Sequence, residues 1–137
     1  MTLSVIAAVF AVTAGAAPAS GAAGSARACN AGARGYISNP SPVGIGVIQD
    51  WRGFGTIYGR GLYDAVLPAG QRTDCAAGFG WYDAEGYYIG PGYCAEVRYY
   101  NNGRFRDYEL VAGGQHPLPP WSWSDPVHRW EVDPYRC

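Results

Sequence analysis

His116 and His128 are the only side chains in this 137-residue sequence whose ordinary pKa lies near neutrality. His128 sits in Asp125-Pro126-Val127-His128-Arg129-Trp130-Glu131, so Asp125, Glu131 or Asp133 would orient it as a general base, and a hydrolase would pair it with Glu85 or Asp83. The simpler expectation is a surface histidine on an edge strand. Asp83 and Glu85 are the spacing of a carboxylate pair for glycoside hydrolysis or Ca²⁺ binding. Asp83-Ala84-Glu85-Gly86 is equally a favourable turn, which is the preferred reading. The ten basic residues are all Arg, so lysine Schiff-base chemistry is excluded. No Gly-x-Ser-x-Gly elbow, phosphate-binding glycine loop, His-Glu-x-x-His or EF-hand loop occurs. No catalytic residue and no cofactor is therefore assigned.

The aromatic residues carry more. They make up 15% of the chain, and all but Phe10 fall at or after Tyr36. A pyranose ring packs its C–H surface on an aromatic plane while neighbouring polar groups bond its hydroxyls. Trp121 and Trp123 alternate with Ser in a Pro-rich segment, where an extended chain points both rings to one side. Trp81 precedes the Asp83–Gly86 turn and Tyr88 follows it, with Asp83 as a polar partner; Trp51-Arg52 opens a glycine-rich stretch. Large rings also fill small cores, and for Trp81 and Trp130 the core is the expected place.

The surrounding chain sets the compartment. Residues 3–19 are apolar or small and uncharged, too short for a membrane span of about 20 residues and suited to a signal peptide. Residues 1–28 are read as a leader cleaved near Ala19 or Ala28, and residues 29–137 as one secreted domain. Cys29, Cys75, Cys94 and Cys137 all lie in that domain, an even number suited to disulfides in an oxidising compartment. A metal site is the weaker reading, because no Cys-x-x-Cys occurs. A hairpin turn centred between Ala84 and Glu85 would oppose Cys75 to Cys94, predicting bridges 75–94 and 29–137. Net charge is −1, which excludes a global field steering the protein to nucleic acid or anionic membrane. A monomer is expected.

The elements that must position these residues are strands. Apolar residues come in short runs broken by Gly, Pro, Asn and Asp. Strands are predicted at Val43–Gln49, Phe54–Tyr58, Leu62–Leu67, Gly80–Tyr82, Tyr87–Ile89, Tyr93–Tyr100, Arg104–Val111 and Val127–Val132. The fold class is all-β, a single small antiparallel sandwich or barrel stapled by two disulfides. Asn102-Gly103 suits a type I′ hairpin turn. Pairing about it puts Ala95, Val97 and Tyr99 with Leu110, Tyr108 and Arg106 on a core face. Glu96, Arg98 and Tyr100 then share the solvent face with Glu109, Asp107 and Phe105. A faint 25-residue repeat relates Gly53-Phe54-Gly55 to Gly78-Phe79-Gly80. The tail from His116 to Pro126 is expected to run extended, partly as polyproline II.

Abundant Ala and Gly with Arg in place of Lys resemble small secreted β-proteins of high-GC bacteria. Trp51-Arg52, residues 65–73 and Gly86-Tyr87-Tyr88-Ile89-Gly90 resemble segments of the tendamistat-type α-amylase inhibitors. That resemblance implies a disulfide-bonded β-sandwich presenting a Trp-Arg-Tyr segment to an enzyme. Gly53 stands where the family has Tyr, and the cysteine gaps differ, so no activity is carried over. Three functions are weighed. The first is a secreted non-catalytic recognition module binding polysaccharide or cell-wall polymer, with Trp121, Trp123, Trp81 and Tyr88 stacking and Asp83 and Arg52 bonding. The alternative is a protein inhibitor of an extracellular hydrolase, anchored by Trp51 and Arg52. The third is a small hydrolase using His128 with a carboxylate.

Overall fold

Among the described residues, eight short strands form two four-stranded sheets packed face to face. The structure, a computed structural model, describes residues 28–119 and 127–137. Sheet A has the order β1 (Gly35–Ser38), β8 (His128–Arg136), β5 (Tyr93–Asn101), β6 (Arg104–Val111). Sheet B has the order β3 (Ala65–Leu67), β2 (Ile45–Ile48), β4 (Gly86–Ile89), β7 (Gly114–Pro117). The pairing of β1 with β8 is parallel and the other five are antiparallel.

Alternation decides which side chains enter the core. On β5, Ala95 and Val97 are buried, while Glu96 and Arg98, alternating with them, are half-buried on the outer face. On β8, Trp130 and Val132 point inward opposite Tyr99 and Val97. Sheet B contributes Ile45, Val47, Tyr87 and Ile89 from the other side. At about 25 cal/mol per Å², aliphatic and aromatic burial across this interface is the main favourable term of the fold. Pro134 lies on β8 past the four-residue reach of β1, where no described strand pairs with that side.

The β5–β6 hairpin turns at Asn102 and Gly103, both at positive φ (47° and 76°), as a type I′ turn requires. Its register is as expected only near the turn, with Asn101 opposite Arg104 and Tyr100 opposite Phe105. A bulge at Arg106 then shifts the pairing by one, setting Tyr99 against Asp107, Arg98 against Tyr108 and Glu96 against Leu110. The bulge reverses the faces of β6. Leu110 and Tyr108, expected in the core, are 59% and 46% exposed on the outer face of sheet A. The ladder that opposes Arg98 to Asp107 and Glu96 to Glu109 does not form. Asp107 Oδ1 accepts the Tyr108 amide at 2.8 Å, and the charges along β6 blunt it as an edge.

Both expected disulfides are re-paired. The bridges are Cys29–Cys75 and Cys94–Cys137, and no described cysteine is free. The hairpin argument fails because β4 and β5 belong to different sheets, so Cys75 and Cys94 do not face each other. Residues 83–86 make no hairpin turn: the Glu85 amide donates to Ile48 O, and Glu85 O accepts from Leu118. Instead the segment after Cys29 lies along the 72–80 turn, with Asn30 N donating to Asp74 O and its side chain to Gly80 O. The end of β8 runs beside the start of β5, bringing Cys137 to Cys94. Other expectations also shift. Phe54–Tyr58 and Gly80–Tyr82 are not strands, Leu62–Leu67 contracts to β3, and β1 and β7 were not foreseen. His116, assigned to the extended tail, lies on β7.

Candidate functional site

Gly44 and Gly46 open a cleft on sheet B. Nothing larger than glycine fits at 46: a Cβ there would lie 2.7 Å from Tyr63 Cγ and 2.9 Å from Tyr88 Cβ. The rings of Tyr63 and Tyr88 use that space, stacking with centroids 5.4 Å apart and planes 25° apart. Tyr88 is placed by its pairing with Gly46 on β2 and Gln115 on β7. Tyr63 arrives from the long β2–β3 loop. Tyr93, at the start of β5, completes a cleft of about 170 Å³ whose lining also includes Val66 and Pro134. Among the described residues, no carboxylate lines this cleft. The Arg136 guanidinium lies 5.0 Å from the Tyr93 ring centroid. It therefore offers aromatic faces, tyrosine hydroxyls and backbone groups, a surface suited to a neutral ring. Its volume is below the roughly 300–1,000 Å³ typical of sites that engulf a small molecule, so it accommodates one ring.

The outer face of sheet A is a second, flatter surface. Arg129 stacks over Tyr100 (3.9 Å) and pairs with Glu131 (3.2 Å), while Arg98 pairs with Glu96 (2.7 Å). Tyr100 meets Phe105 edge-on near the hairpin turn, and Tyr108, Leu110 and Tyr135 stand exposed further along the same sheet. The Tyr108 phenol is pushed above its ordinary pKa by desolvation, then by the charge of Glu96 and a hydrogen bond to it, against the pull of Arg98. Each of these two arginines is paired with a carboxylate on its own strand. This surface was not foreseen, because the bulge that turns Tyr108 and Leu110 outward has no sequence mark.

Of the described residues singled out in the sequence as ligand contacts, Tyr88 alone lines the cleft. Trp81 is half-buried, tilted against Phe79 (5.1 Å) and packed on the core. Asp83 is half-buried, with its Oδ1 accepting the Ala84 amide at 2.8 Å. Trp51 is half-buried against Gly86, where a Cβ would come within 2.8 Å of its ring. Arg52 is exposed, its guanidinium 4.7 Å from the Tyr58 ring centroid. Trp121 and Trp123 lie outside the described residues. His128 is not a surface residue on an edge strand: it is 2% exposed on β8, which has neighbours on both sides. Its ring stacks with Tyr99 and Trp130, and the Tyr99 hydroxyl lies 2.6 Å from Nδ1. Glu85 is engaged as well, its Oε2 accepting the Trp51 amide at 2.7 Å. The Cys29, Asp74 and Cys75 side chains cluster, but both sulfurs are in the disulfide and Asp74 holds Arg72 (2.6 Å), which leaves no thiolate for a metal.

The fold and cleft define a disulfide-stapled β-sandwich with a neutral aromatic recess on one sheet. No family model, curated protein or solved structure matches the chain.

Proposed function

We propose that this protein is a secreted, non-catalytic recognition module that binds a neutral polysaccharide through the Tyr63–Tyr88–Tyr93 cleft. The convergence of three tyrosines on a glycine floor carries the reading. An aromatic face is the natural partner of a pyranose C–H surface, and an uncharged recess sized for one ring suits a unit of a polymer. Two disulfides and the absence, among the described residues, of any helix able to cross a membrane are consistent with an oxidising extracellular setting.

Sedimentation of the purified protein with cellulose, chitin, xylan and peptidoglycan tests it. Retention on one of these, weakened about tenfold or more by Tyr88→Ala with the melting transition preserved, is the expected result. Each lost aromatic contact is worth about 0.5–1.5 kcal/mol beyond its buried area. Tyr88→Phe keeps the ring and should keep most of the affinity. No retention on any glycan, or retention indifferent to Tyr63→Ala and Tyr88→Ala, overturns the reading.

A further inference from the structure

Residues 49–64 join β2 to β3 without regular structure, a length that compact domains rarely spend on a connection alone. The loop is nevertheless fixed. Trp51 N donates to Glu85 Oε2 (2.7 Å), Arg52 N to the Tyr58 hydroxyl (3.0 Å) and Gly55 N to Gln115 Oε1 (2.7 Å). The Gln115 amide then donates to Thr56 O (3.0 Å) and Leu62 O (2.9 Å), clamping the loop from β7. At the far side of this clamp, Phe54 is 74% exposed and Ile57 70% exposed. These are the two most exposed large apolar side chains described, held on rigid backbone.

We propose that this tip is a protein-docking surface whose partner offers an apolar pocket rimmed by carboxylates. Phe54 and Ile57 enter the pocket, with Trp51 supporting Phe54 edge-on at 5.0 Å. Residues 51–63 contain Arg52 and Arg60 and no acid; Asp50 and Asp64 stand at the base, and Asp64 Oδ2 is taken up by the Gln49 amide. The projecting part is thus positive in a chain of net charge −1, which selects an acidic rim. Preorganisation favours the same partner class: the ordering cost is met within the folded loop, so anchoring contacts convert more fully into affinity. A membrane is the poorer occupant, since even a whole myristoyl chain binds bilayers only marginally and two side chains bury less. Phe54 and Ile57 do not line the glycan cleft, although Tyr63 at the end of the same loop does.

The test places the photo-reactive residue p-benzoylphenylalanine at position 54 or 57, one at a time, in the exported protein. The protein is irradiated with culture fluid and envelope fractions of the organism that makes it. A discrete adduct to the same partner from both positions is expected, mapped to an apolar pocket with flanking Asp or Glu. Binding of the purified pair should then weaken about 30-fold or more in Phe54→Ala, the scale of a hot-spot truncation. Arg52→Gln with Arg60→Gln should slow association and flatten its salt dependence. Phe105→Ala, on the outer face of the other sheet, should leave the binding unchanged. Four results overturn the proposal: no adduct, an adduct to a second copy, Phe54-dependent sedimentation with 7:3 phosphatidylcholine–phosphatidylglycerol vesicles, or a partner bound equally by Phe54→Ala and Ile57→Ala variants.

Discussion

Gly46→Ala tests whether the cleft is built as described. The new methyl would lie 2.7 Å and 2.8 Å from Tyr63 Cγ and Cδ1, and 2.9 Å from Tyr88 Cβ. The Tyr63 ring belongs to a loop residue and can swing away. Tyr88 Cβ cannot, because β4 is paired with β2 at Gly46 itself. Overpacking of this kind costs about 1–3 kcal/mol. Against it stands the gain from replacing a strand glycine, about 0.5–1 kcal/mol. The net is a loss of about 1 kcal/mol, or about 4–8 °C in Tm for a domain of this size. Urea and thermal unfolding measure it directly. A double-mutant cycle sharpens it: in a Tyr63→Ala background part of the clash is gone, so Gly46→Ala should cost at least about 0.5 kcal/mol less. Gly90→Ala, whose Cβ would meet nothing within 4 Å, is the control and should be neutral or mildly stabilising. A neutral or stabilising Gly46→Ala, or a cost independent of Tyr63, would refute the packing argument.

The disulfide pairing predicts that non-reducing peptide mapping recovers Cys29 with Cys75 and Cys94 with Cys137. Replacing both Cys94 and Cys137 by Ala, which opens a link spanning 43 residues, should cost about 4 kcal/mol in the chain-entropy model, read from denaturant unfolding. The Tyr87 phenol is held well above its ordinary range, first by burial and then by the charge of Glu109. Below about pH 10 this tyrosine is protonated whether folded or unfolded, so it adds no pH dependence. Above that, the unfolded chain releases the proton while the folded one keeps it, and stability falls by about 1.4 kcal/mol per pH unit. Tyr87→Phe should remove that share of the alkaline slope in unfolding curves taken from pH 9 to 11; an unchanged slope would show that the phenol is not so held.

The fold class was legible because strand signals are local. Short apolar runs punctuated by Gly and Pro, and Asn-Gly at 102–103, report backbone preferences that neighbouring residues fix. What depended on distant parts of the chain was not legible. The Arg106 bulge arises from how β6 meets β5 and the rest of sheet A, and it sends Leu110 and Tyr108 outward against their alternation. His128 looked like a surface residue, yet a side chain's exposure is decided by what packs over it.

By itself, then, the sequence determined a small all-β domain with four cysteines ready to bridge, no lysine chemistry and an excess of rings. It also set Tyr88 beside glycine-rich strand sequence. Only the tertiary structure decided which cysteines meet, because that follows from assigning β4 and β5 to opposite sheets. It likewise decided that Tyr63 crosses from a loop to stack on Tyr88, and that Phe54 and Ile57, rather than Trp51, reach solvent. The physical reason is common to all three. Pairing between sheets and the covering of one element by another are long-range contacts, set by the whole buried surface rather than by any local run of residues.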